Sequence, residues 1–137
     1  MTFERVYAVT NFHDQPRDGV ADFAGRPHFF QSEWDEAADE YADTFRLSPM
    51  SLEVVELALE DRAIAERWWL AVRGTSTVMV PRALPDDRPR FAQLQQALKA
   101  ALQIDPGDFV RARAEFRSGS GWDGVGFAPL EVWWQPL

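Results

Sequence analysis

Two rhythms of apolar and polar residues run through this chain. From Phe109 to Arg117 the period is two: Val110, Ala112, Ala114 and Phe116 fall on one side, Arg111, Arg113, Glu115 and Arg117 on the other. Successive side chains of a strand point to opposite faces, so this is an antiparallel strand with one wet face. Leu52–Arg73 follows the helical period instead. It holds no Gly or Pro, Ser51 offers an N-cap, and Gly74 can take the left-handed conformation that ends a helix. Val55, Leu59, Arg62, Ala65, Trp69 and Val72 trace one face of it. A second helix is expected from Asp86 or Asp87 to Gln103, with Pro89 in its first turn and a stripe of Phe91, Leu94, Leu98, Ala101 and Leu102.

The remaining segments are shorter. Arg5–Val9 is apolar on both faces and reads as a strand inside a sheet, followed by a polar connection from Asn11 to Gly19 that contains Pro16 and Asp18-Gly19. Val20–Phe23 and Pro27–Glu33, separated by Ala24-Gly25-Arg26, suit a hairpin. Residues 33–45 fit two descriptions: a helix carrying Trp34, Ala37, Tyr41 and Phe45, or a turn with one helical turn in it before a strand at Thr44–Leu47, which is the favoured one. Thr75–Val80 suits a short edge strand, Gly119–Gly126 a glycine-rich loop and Leu130–Gln135 a last strand. Strands, two helices and then a hairpin predict a single α+β domain over residues 1–137. It has an antiparallel sheet of about five to six strands with two helices packed on one face.

Composition sharpens this picture. Hydrophobic residues at 46% and charged residues at 26% are globular values, and six Trp with ten Phe supply an ample core. There is no Cys, which excludes disulfides, thiolate nucleophiles and Cys-ligated metal. The start lacks a basic segment followed by an apolar one, and Trp68–Val72 is far shorter than the roughly 20 residues that cross a bilayer. A cytoplasmic protein away from membranes is expected.

The net charge of −8 is uneven: residues 1–50 carry ten acids against four bases. Glu33, Asp35, Glu36, Asp39, Glu40 and Asp43 form a stretch with no base in it. Such a surface repels phosphate backbones, so nucleic acid is not an expected partner, whereas a basic protein would be attracted. A solvated face that keeps the protein soluble is the plainer account of the same charges.

Motifs for catalysis are sparse. The two histidines, His13 (beside Asp14) and His28, show no ligand spacing, although with Asp22 or Glu33 they could serve a small-molecule site lined by aromatics. The acidic stretch lacks calcium-loop spacing, the glycine loop lacks a following Lys-Ser/Thr, and no serine sits in G-x-S-x-G. No metal or cofactor is called for. Trp68-Trp69 on a helix and Trp133-Trp134 on a strand cannot both face the core, so one of each pair stands at a margin or an interface.

Gly19-Val20-Ala21-Asp22-Phe23-Ala24-Gly25-Arg26-Pro27-His28-Phe29-Phe30, together with the opening Val6-Tyr7-Ala8-Val9-Thr10, Pro16-Arg17-Asp18-Gly19 and Phe45-Arg46-Leu47-Ser48-Pro49, resembles a segment of small uncharacterised bacterial proteins. The resemblance covers mainly the first third and implies a bacterial orphan family with no activity to carry over.

The leading functional expectation is a non-enzymatic domain, regulatory or toxin-neutralising, that meets a basic partner through Glu33, Glu36, Asp39, Glu40 and Asp43, with Trp68 and Trp133 as anchors. The alternative is a ligand-binding protein or modest enzyme using His13, Asp14 and His28. A homodimer that consumes the surplus aromatics is a third.

Overall fold

The computed structural model describes residues 2–74, 81–118 and 129–137. Six antiparallel strands, β1 (Glu4–His13), β2 (Gln15–Phe23), β3 (Arg26–Asp35), β4 (Glu40–Pro49), β5 (Val110–Ser118) and β6 (Leu130–Pro136), follow one another around a closed barrel. Between β4 and β5 the chain forms α1 (Leu52–Val72), a short 3-10 turn at Pro85–Asp87 and α2 (Arg88–Ala101). The α+β content and the antiparallel sheet agree with the sequence pattern. Closure goes beyond it: β6 returns to β1 through Glu4↔Val132 and Arg5↔Glu131, which removes the free edges of the sheet.

The N-terminal strands are longer than their apolar cores suggest. The expected connection from Asn11 to Gly19 is a tight hairpin, with His13 opposite Gln15 and only Asp14 at positive φ (59°) between them. Aspartate tolerates that conformation better than most residues. Pro16 lies inside β2 opposite Phe12, where the register of β1 and β2 shifts. Irregular pairing of this kind is where a strand accepts proline. Gly19 serves packing rather than turning: a Cβ there would stand 2.3 Å from the Ala8 carbonyl oxygen and 2.8 Å from Cζ of Phe30. The Ala24-Gly25 turn, with both φ positive, makes the expected β2–β3 hairpin.

Residues 33–45 are strand, turn and strand. Trp34 pairs with Tyr41 across the β3–β4 hairpin, and their rings meet edge to face at 5.1 Å. Their helix-like spacing thus reflects a short turn over residues 36–39, where Asp35 Oδ1 accepts from the amides of Ala37 and Ala38. The two helices form as expected. Ser51 Oγ accepts from the Val54 amide at 3.3 Å, and Gly74 follows α1 at φ 82°. Thr75–Val80 and the Gly119–Gly126 loop lie outside the described residues.

Two cores result. Inside the barrel Phe30, Phe45, Leu47, Ala112, Val132 and Trp134 are buried together. Phe30, Phe45, Phe116 and Trp134 each lie with ring centroids 5.5–6.0 Å from one another. Outside, Ala8 and Val20 meet Val55, Ala58 and Leu98, so the helices cover the outer face of the first strands. The helices themselves join at Ile64, Ala83 and Leu94.

Candidate functional site

The helix layer does not close down on the barrel. Between them runs a partly open cleft of about 1020 Å³. Its barrel wall carries Ala8, Asp18, Phe29 and Gln31, and its helix wall carries Ala58, Asp61, Ala65, Trp69, Phe91 and Leu98. The gap has a residue-level cause. The lining contributed by β1 and α1 includes Ala8, Ala58 and Ala65, side chains too small to fill a layer spacing of about 10 Å. Cavities of about 300–1,000 Å³, mostly apolar with a few polar groups, are typical ligand sites.

Two carboxylates stand in this cleft, one from each wall. Asp18 accepts from Gln31 Nε2 at 3.4 Å, and Asp61 accepts from Gln95 Nε2 at 2.6 Å. Burial pushes both carboxyls above their ordinary value; hydrogen bonds from Gln31, Asn11 and the Ser32 backbone partly offset this for Asp18, and the bond from Gln95 does so for Asp61. The ion pairs among the described residues include neither. Cations are present but engaged or peripheral. Arg62 Nη1 donates to the Tyr7 carbonyl at 3.0 Å, exposed Arg82 lies 6.0 Å from the Trp68 ring, and Lys99 is exposed in the last turn of α2. A smaller hollow of about 380 Å³ shares Asn11, Asp18 and Gln31 with the cleft and reaches Glu33, Trp34 and Tyr41.

The sequence-predicted residues scatter around this geometry. His13 and Asp14 form the β1–β2 turn, whereas His28 pairs with Ala21 near the far end of β2. Gln15 and Ala21 are six residues apart on that strand, roughly 20 Å at ~3.3 Å per residue. The two histidines therefore do not share a pocket. His28 is buried, its Nδ1 2.8 Å from the Arg26 carbonyl oxygen and its ring against Phe23. Asp14 is bound to Arg17 at 2.8 Å, and His13 packs near Tyr41 at 5.7 Å. Asp22 accepts from the Tyr7 hydroxyl at 3.0 Å.

The acidic stretch divides. Burial raises the Glu33 carboxyl, but hydrogen bonds from Arg111 and Thr44 and the charges of Arg111 and Arg46 outweigh it and leave it lowered. Asp43 pairs with Arg113 at 3.3 Å. Among the described residues Glu36, Asp39 and Glu40, at the tip of the β3–β4 hairpin, take part in no ion pair.

Of the tryptophan pairs, Trp134 is in the barrel core and Trp133 half-buried outside it. On α1 Trp68 is buried at 7% exposure, so its neighbour Trp69 is the one that reaches the cleft.

Sequence reasoning passed over Asp18, Asp61 and Arg17. Arg17 is buried at one end of the barrel, donating to Ser32 Oγ, to the carbonyls of His13 and Ala42, and to Asp14. Among the described residues no group of three or more His, Cys, Asp or Glu is placed to hold a metal ion. No helix among the described residues is long and apolar enough to cross a membrane. Comparisons of the chain with protein-family models, curated proteins and solved structures give no match.

Proposed function

We propose that the protein binds a small molecule in the cleft between the barrel and its helix layer. The observation that carries this reading is a sizeable gap, walled by Phe29, Trp69 and Phe91, beside a barrel whose interior packs its aromatics tightly. Interiors are normally filled, and leaving such a space forfeits contacts on both walls. A ligand that enters it recovers them. The reading keeps the ligand-binding idea drawn from the sequence but moves it from the histidines to residues of β1–β3, α1 and α2. The test is a thermal-shift screen of a metabolite library against the wild type and Ala65→Trp, which places an indole in the gap. Compounds that stabilise only the wild type support the reading; no stabilising compound, or equal shifts in both proteins, overturns it.

A second reading is supported at the β3–β4 hairpin. Trp34 is 50% exposed beside Tyr41, and Glu36, Asp39 and Glu40 surround the same tip. An exposed aromatic ringed by acids suits a basic protein surface. Capture of a basic protein at low salt, lost in a variant with these three acids changed to Gln or Asn, supports it; retention by that variant at every salt concentration overturns it.

A further inference from the structure

We propose that the ligand of the cleft is an organic cation, a protonated amine on an apolar body, held by the carboxylates of Asp18 and Asp61. This rests on the cleft being the binding site and names what it selects. The two acids come from different layers, β2 and α1, and both line one cavity. Each is one step beyond a shared apolar contact: Asp18 lies two residues from Val20 on the same strand face, and Asp61 one turn from Ala58, with Val20 and Ala58 in one cluster.

Their partners make the assignment specific. A structural carboxylate at such a depth is ordinarily neutralised by Arg or Lys, as Glu33 is by Arg111 at 2.8 Å and Arg46 at 3.7 Å in this same molecule. Asp18 and Asp61 are instead oriented by the amides of Gln31 and Gln95. A side-chain amide fixes a carboxylate without cancelling its charge, leaving lone pairs for an ammonium group. Burial raises both carboxyls, so their ionised forms gain from a cation that arrives. Trp69 and Phe91 add aromatic faces, which attract cations and apolar surface alike.

The cations of the lining do not supply this charge from within. Arg62 is drawn to the Tyr7 carbonyl, while Lys99 and Arg82 mark opposite ends of the helix pair. The seam itself orders them: Leu98 meets Val55 and Ala58, Gln95 meets Asp61, and Asp87 meets Arg67. Asp61 sits midway.

Calorimetric titration with putrescine, phenethylamine and tryptamine tests this, each beside its alcohol counterpart (1,4-butanediol, phenylethanol and tryptophol). The wild type should bind at least one amine on the order of tenfold or more tightly than its alcohol, the scale of a charge-assisted hydrogen bond. Asp18→Asn and Asp61→Asn, which keep the shape, should each abolish that preference while remaining folded. Equal binding of amine and alcohol, a preference that survives both substitutions, or no binding by any of the six would overturn the amine assignment. The cleft reading fails separately, when the library screen finds nothing that Ala65→Trp excludes.

Discussion

Phe29 and Phe30 are neighbours on β3 and both are almost wholly hidden, yet they face different surroundings. Phe30 points into the barrel against Phe45, Phe116 and Trp134, while Phe29 lies in the wall of the cleft. One sheet thus has two unlike faces. Its inner face is filled with interlocking rings, and the same strands bury two hydrogen-bonded polar side chains, Arg17 on β2 and His28 on β3. Its outer face meets the helices through Ala8, Val20 and Ala58 and then parts from them. Stability and binding are divided between the two: the barrel holds the fold, so the helix layer is free to stand off and keep a space.

The sharpest way to break this comparison is to truncate the two phenylalanines separately. Phe30→Ala leaves a void among rings that cannot collapse and should cost about 3–5 kcal/mol in urea unfolding, enough to unfold a marginal domain. Phe29→Ala enlarges a space that already exists, so the added cavity penalty is smaller and the cost should fall clearly below that of Phe30→Ala. Equal costs would mean that the cleft wall is packed as tightly as the barrel interior, and the division of labour would be lost.

The same contrast explains what could be seen in the sequence. The long helix, the alternation of β5 and the Ala24-Gly25 hairpin are local patterns, and each is present as expected. Two features depend on distant partners. Pro16 and Asp18-Gly19 look like a connection because Gly and Pro usually mark turns; only the approach of the Ala8 carbonyl and Phe30 shows why a strand needs glycine at position 19. Closure of the barrel rests on β1 meeting β6, more than a hundred residues away, which no local pattern encodes. The cleft did leave a trace. The stripe Arg62, Ala65 and Trp69 on α1 mixes a cation, a small residue and a large one, an odd set for a face meant to be filled, and all three line the cavity. Asp18 and Asp61 were hidden because one resembled turn chemistry and the other an ordinary polar helix position.

A smaller effect, opposite in sign, sharpens the comparison from the cleft side. Asp61 is desolvated and its folded pKa is raised, so the folded state holds its proton more tightly than the unfolded chain does. Below the ordinary carboxyl range both states are protonated and Asp61 has no effect. As pH rises from that range through the raised folded value, the unfolded chain releases its proton first, and stability is lost to a constant level above. Asp61→Asn should therefore stabilise the unliganded protein at pH 7 by a few tenths to about 1 kcal/mol after allowance for solvent screening, or about 1–4 °C in Tm. The gain should vanish toward low pH. Gln95 donates to the carboxyl from the helix side, Arg62 and Lys99 share the lining of the cleft, and Asp18 on the opposite wall is shifted in the same direction, so the double variant should gain more than either single one. A wild type that stays the more stable at neutral pH would make Asp61 a structural residue. A wild type that is the less stable, and regains the difference with an amine bound, would mean the carboxylate is retained for its ligand at a cost to the empty fold.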